Sequence, residues 1–187
     1  MRRLWRIFAA AGLIALAACS APKPAVDQDV ADLTRSIMAL DPQVDPQEAA
    51  RAARIAYDHT FELAVAYEIT DPPLVHNSKV NAGLKPRGLC WHWAEDMEKR
   101  LNSEQFETLE LHRAIANADN RFRIDHSTAI ISARGETMVE GIVLDPWRKG
   151  GRLFWAPLVE DTKYKWEPRQ EVLSRKAARA RAKRARP

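Results

Sequence analysis

Cys90, His126 and Asp145 are the residue types that make an activated thiol, its proton acceptor and the carboxylate that orients the acceptor. Cys90 lies in the stretch RGLCWHWAEDMEKRL, residues 87–101. Within it Cys90, Ala94, Met97 and Leu101 recur at the spacing of one helical face. That spacing predicts a helix that begins on the cysteine and turns it towards the core. In a first helical turn, unpaired backbone N–H groups and the positive end of the dipole favour thiolate over thiol. A buried structural cysteine fits the same pattern, because free Cys is among the most buried residue types.

His126 opens the run HSTAIISA and Asp145 closes the run MVEGIVLD. Both runs suit strands. Arg134-Gly135-Glu136-Thr137 stands between them as a hairpin connection. A two-residue loop at Gly135-Glu136, or a four-residue loop, places His126 directly opposite Asp145 on one face, with Cβ atoms about 4.5–5.5 Å apart. A three- or five-residue loop shifts the register by one and breaks the pair. A carboxylate on one imidazole nitrogen fixes the tautomer, and the other nitrogen is then free to take a thiol proton. A cross-strand His–Asp pair without a task is the alternative. Asn77 and Asn81 are the upstream side chains that could join the Cys90 N–H in binding an oxyanion, or they are turn formers. Trp91 and Trp147 each adjoin a proposed site residue and either line a cleft or pack in the core.

The elements that must position these groups follow from the chain in order. Residues 1–18 read as a signal peptide, with Arg2, Arg3 and Arg6 ahead of a short apolar run. Leu16-Ala17-Ala18-Cys19 ends it, and Ser20 follows. Residues 19–44 read as a tether holding a weak helix over 30–40. Asp45-Pro46-Gln47-Glu48 is a helix start, with Asp45 as cap and Glu48 three residues on. That helix is expected to run to about residue 69. Residues 71–87, with three prolines and a glycine, read as a loop. The segment around Phe106 to Ala116 fits helix or strand, and Leu153-Phe154-Trp155 fits a third strand. Residues 45–170 leave room for one domain with one core. Residues 171–187 are Ala/Arg/Lys-rich and are expected to be disordered, or helical on binding.

Two resemblances add to this. Leu16-Ala17-Ala18-Cys19 looks like the lipobox of bacterial lipoproteins, which implies cleavage before Cys19, lipidation of its sulfur and an envelope location facing the periplasm, with Ser20 pointing to the outer membrane. Gly88-Leu89-Cys90-Trp91, a helix, His126 opening a strand and Leu144-Asp145 closing the next resemble the transglutaminase-like branch of the papain-like cysteine enzymes. The resemblance covers roughly residues 85–157. It implies an α+β fold with a papain-like or transglutaminase-like core, N-terminal helices on a small antiparallel sheet, and a Cys90–His126–Asp145 triad working through a thioester. The implied substrate is a peptide or amide, such as an envelope protein or a peptidoglycan peptide.

Of 2 cysteines, lipidation consumes Cys19 and leaves Cys90 unpaired in an oxidising compartment, where an odd thiol is buried or used. The formal charge of +4 conceals opposed regions, since residues 175–187 hold seven basic and no acidic residues while the middle of the chain is net acidic. The tail suits anionic lipid headgroups or wall polymers. Nucleic acid fits its composition but not the compartment. One free cysteine and scattered histidines lack metal-ligand spacing, so neither metal nor cofactor is expected. The expected function is an envelope cysteine hydrolase or acyltransferase. A non-catalytic envelope lipoprotein that binds protein or wall material on the same scaffold is the competing class.

Overall fold

Asp45 caps the longest helix as its sequence predicts: its carboxylate accepts the N–H groups of Gln47 and Glu48 at 2.7 and 2.9 Å, and Pro46 fills the first helical position. In the computed structural model, which describes residue 24 and residues 26–185, the order is α1 (Asp27–Met38), α2 (Pro46–Ala66), α3 (Pro73–Asn81), α4 (Cys90–Asn102), β1 (Leu109–Ala116), β2 (His126–Ala133), β3 (Ile142–Asp145), β4 (Phe154–Pro157), β5 (Glu167–Pro168) and α5 (Arg169–Arg184). The fold is α+β. Its five strands form one antiparallel sheet in the order β4-β3-β2-β1-β5. The signal peptide and Cys19 lie outside the described residues. Among the described residues no helix is long and apolar enough to cross a membrane.

The period-two pattern of the strands divides the core. Leu109, Ala129, Ile131, Ile142 and Leu144 pack with α1, α2 and α4 through Leu33, Ile37, Ala53, Met97 and Leu101. Ile130, Val143 and Ala114 turn to the other face, where Met138 and Trp166 cover them. Central β2 is buried along its whole length, including its polar residues His126, Ser127, Thr128 and Ser132.

Four expectations need correction. The region expected to be a tether to residue 44 is folded from Asp27 on: α1 runs along α2 and buries Val30, Leu33 and Ile37. The expected loop at 71–87 contains α3. Its prolines are a helix start, with Pro73 at the first position, and Gly83 at φ +72° ends it. There Gly83 N–H donates to Val80 O at 3.0 Å and Leu84 N–H to Lys79 O at 2.8 Å, the two bonds of a Schellman motif. The tail is helix α5 as it stands, docked through buried Val172 and by ion pairs of Arg175 with Glu167 and Asp119. Glu48 does not reach back to its own cap. It is buried and accepts Glu107 N–H, Thr108 N–H and Thr108 Oγ1–H at 2.7, 2.8 and 2.6 Å, tying α2 to the start of β1.

Burial works against the charge on Glu48, yet Thr108, the two backbone donors and Arg51 hold its pKa below the ordinary carboxylate range. Glu48→Ala orphans these donors and is expected to cost about 2–4 kcal/mol in urea unfolding. The stabilisation belongs to the carboxylate. It is present above the unfolded acidity and lost as pH falls through the lower folded value, so the gap between variant and wild type narrows in acid. A gap that is constant with pH would contradict this account.

Candidate active site

Four side chains, rather than a backbone ladder, build the turn ahead of Cys90. Gly88 sits at φ +121°, and a Cβ there would lie 2.4 Å from Nε2 of His76. His76 donates from Nε2 to the Arg87 carbonyl at 2.8 Å. Trp93 donates from Nε1 to the Gly88 carbonyl at 3.0 Å. His92 reaches back and accepts at Nδ1 the N–H groups of Gly88 and Leu89, at 3.1 and 3.2 Å. Arg87 is anchored on Asp96, which also accepts from Tyr67. The helix therefore begins where the sequence predicts, with Cys90, Ala94, Met97 and Leu101 all buried on one face. Gly88→Ala combines a disfavoured φ with a clash against a buried ring. It is expected to lower the thermal midpoint by about 5 °C or more. A loss below about 1 °C would show that the turn accommodates a side chain.

His126 and Asp145 meet, but not by the pairing expected. The register of β2 and β3 runs Ala129↔Leu144, Ile130↔Val143, Ile131↔Ile142. Asp145 therefore stands one pair beyond Ala129↔Leu144, opposite Thr128, and the register is two residues from the one that sets it against His126. The connection is not a tight hairpin: a 3-10 turn, Met138–Glu140, occupies the first half of the expected strand. A two-residue slip keeps side-chain parity, so both groups remain on one face as diagonal neighbours. The His126 Nε2–H donates to Asp145 Oδ2 at 2.7 Å, and both residues are 1% exposed.

That bond fixes the tautomer of the neutral ring: Nε2 carries the proton, and Nδ1 is the nitrogen that gains or loses one. Nδ1 is buried and has no nitrogen or oxygen partner among the described residues. The Cys90 sulfur makes no hydrogen bond to Nδ1 but is near enough to favour charge on the ring. Burial disfavours the imidazolium, but Asp145 and then Cys90 outweigh it and raise the His126 pKa to about 9. The Cys90 sulfur also contacts the Asp125 carbonyl at 3.5 Å, and Cys90 is 7% exposed. The thiol is therefore nearly enclosed. A groove of 450 Å³ lined by Tyr57, Phe61, Lys149 and Leu153 includes none of the three residues.

The other expected site residues fall into two groups. Trp147 is buried with its ring 4.7 Å from that of His126, beside Tyr164 at 4.6 Å and Trp166 at 5.3 Å. Asn77 accepts from Trp147 Nε1 at 3.0 Å, so its oxygen steadies the wall of the histidine site rather than standing free. Trp91 is 46% exposed beside the thiol, and Asn81 is exposed at the end of α3.

Arg148 and Asp161 carry no motif and were not foreseen. Arg148 donates from its backbone N–H to Asp145 Oδ1 at 3.0 Å and from Nε to Oδ2 at 2.9 Å. Its two terminal nitrogens donate to Asp161 at 3.0 and 2.6 Å, and Trp166 Nε1 donates to the same carboxylate at 2.9 Å. Arg148 stands three residues after Asp145, on the 3-10 turn Trp147–Lys149, and Asp161 follows another such turn, Leu158–Glu160. The only sequence signal was an arginine one turn from an aspartate, which is common on surfaces.

The arrangement is a thiol at a helix N-terminus, an imidazole with one nitrogen free towards it and a carboxylate held by an arginine. Comparison with known protein families, characterised proteins and solved structures finds no match to this chain.

Proposed function

We propose that the chain is a cysteine acyl-transfer enzyme of the cell envelope, of papain-like or transglutaminase-like type. The observation that carries this reading is His126, with Nε2 on Asp145 and Nδ1 buried, unpaired and next to the Cys90 sulfur. A buried imidazole nitrogen without a partner costs stability, and proton transfer to and from an adjacent thiol is a reason to keep one.

In this mechanism His126 takes the Cys90 proton and the sulfur attacks an amide carbonyl. The carbonyl oxygen becomes an oxyanion at the N-terminus of α4. Collapse breaks the C–N bond, His126 gives its proton to the leaving amine, and a thioester remains on Cys90. Water or a second amine then attacks the thioester, losing its proton to His126, and the thiol is regenerated. Water gives a hydrolase and an amine gives a transferase. Asp145 holds the ring and stabilises the imidazolium throughout. No cofactor enters the scheme. Lipidation at Cys19 would hold the domain at the periplasmic face of a membrane, where envelope proteins and peptidoglycan peptides are the available amides.

One observation favours the non-catalytic alternative: the thiol is nearly enclosed, with Asp125 against it. The experiment that separates the two is alkylation by iodoacetamide, followed on the Cys90 peptide at about pH 6. The enzyme reading expects Cys90 to react about tenfold faster than a free thiol of ordinary pKa (~8.5). A rate at or below that of the free thiol would favour a binding protein.

A further inference from the structure

His92 stands in the first turn of α4, two residues after the thiol, and its ring is turned back under the Gly88–Leu89 peptides. One lone pair on Nδ1 receives both N–H groups, so the ring is neutral and its proton is on Nε2. The amides of the first helical turn are then unequal. Those of His92 and Trp93 both donate to the Leu89 carbonyl, at 2.9 and 3.3 Å. Those of Cys90 and Trp91 have no acceptor among the described residues. The two free N–H groups are therefore the ones at the sulfur-bearing end, and the two before them are withdrawn from it.

We propose that His92 is a positioning residue: by capturing the Gly88 and Leu89 amides it fixes the turn that leaves the Cys90 and Trp91 N–H groups free to receive an oxyanion, and a proton on His92 releases that turn. The inference rests on the acyl-transfer reading above. An imidazolium has no lone pair at Nδ1, so protonation sets an N–H against two N–H groups that it formerly accepted. The surroundings resist that proton. Burial and then the Arg87 guanidinium on the preceding turn lower the His92 pKa from its ordinary value, against the weaker pull of Asp96 and Glu95 on α4. From α2 the group that faces the ring is Tyr67, 6.5 Å away between ring centroids, and Trp91 lies over it at 3.9 Å. The catch is closed at neutral pH and opens in acid.

The test uses the full chain and the rate of iodoacetamide alkylation at Cys90, read by peptide mapping. Free amides at the helix start stabilise a thiolate as they would an oxyanion, so no substrate is needed. A wild type no faster than a free thiol at about pH 6 sinks the parent reading, whatever His92 does. With a reactive wild type, His92→Leu is expected to react about tenfold more slowly at pH 7. His92→Asn places Oδ1 where Nδ1 stands and takes no proton. It is expected to stay within about threefold of wild type at pH 7, and to lose at least about threefold less rate than wild type on going to pH 5. Equal rates for H92L and wild type, H92N as slow as H92L, or superimposable acid limbs for H92N and wild type would each overturn the proposal. If H92L does not fold, the acid limb of H92N decides alone.

Discussion

Replacing His126 with alanine is expected to slow alkylation of Cys90 about tenfold at pH 6 and to speed it at about pH 8.5, so that the two pH profiles cross. Two opposed effects set the sign. A thiol of ordinary pKa (~8.5) is only ~0.3% thiolate at pH 6, so an imidazolium that holds the thiolate raises its population ~300-fold. The held thiolate is less nucleophilic, because reactivity falls with basicity at a slope of ~0.4–0.5, which returns roughly 30-fold. The remainder is about tenfold. Near the ordinary thiol pKa the population term has almost vanished while His126 still carries its proton, so mainly the loss of nucleophilicity remains and the variant becomes the faster of the two.

The upper limit of the ion pair comes from the histidine. Its pKa is raised to about 9, because Asp145 and Cys90 outweigh a burial that works the other way. The folded value lies above the unfolded 6.5, so the stability that His126 contributes is complete below 6.5 and is lost as pH rises through about 9. Turnover of an amide substrate is expected to fall about 10⁴-fold in H126A, since proton transfer at both steps is lost. Profiles that stay parallel and never cross would mean that the histidine only shields the sulfur.

What the sequence disclosed about this site was local and periodic. The helix face through Cys90 and Met97, the Asp45 cap and the parity that puts His126 and Asp145 on one side of the sheet all follow from spacing alone. Parity survived a wrong register because the slip was two residues and not one. The register itself depended on how the chain spends residues 134–141, and a 3-10 turn there leaves no strong mark in the sequence. Pro72 and Pro73 were read as breakers when they begin a helix that Gly83 ends. Residues of the basic tail are good helix formers, but the partners that dock them, Asp119 and Glu167, lie in other elements. The roles of Glu48, His92 and Arg148 escape the sequence for one reason. Each is a polar side chain whose task is to satisfy a group that only folding brings within reach.

Arg148→Gln is expected to cost about 3–5 kcal/mol, the second large effect, and to do so without touching the thiol. Among the described residues the guanidinium is the only cation hydrogen-bonded to Asp161, which accepts from both its terminal nitrogens, and it lies between that buried carboxylate and Asp145, which accepts its Nε–H and the Arg148 backbone N–H. Its plane also lies 3.8 Å from the Phe154 ring centroid and 4.7 Å from that of Tyr164. Removing it leaves Asp161 buried without a counter-charge and Asp145 with His126 alone, which costs more than the intact network contributes. For Asp161, burial resists the charge, but Arg148 and the Trp166 indole hold its pKa below the ordinary carboxylate range. Its contribution is therefore present at neutral pH and disappears as pH falls through that lowered value. Removing the second charge as well should restore part of the loss, so R148Q/D161N is expected to be more stable than R148Q alone by about 1–2 kcal/mol. Urea midpoints on the four proteins of this cycle measure it. A double variant less stable than R148Q would show that Asp161 holds the fold through its hydrogen bonds and not by balancing the arginine.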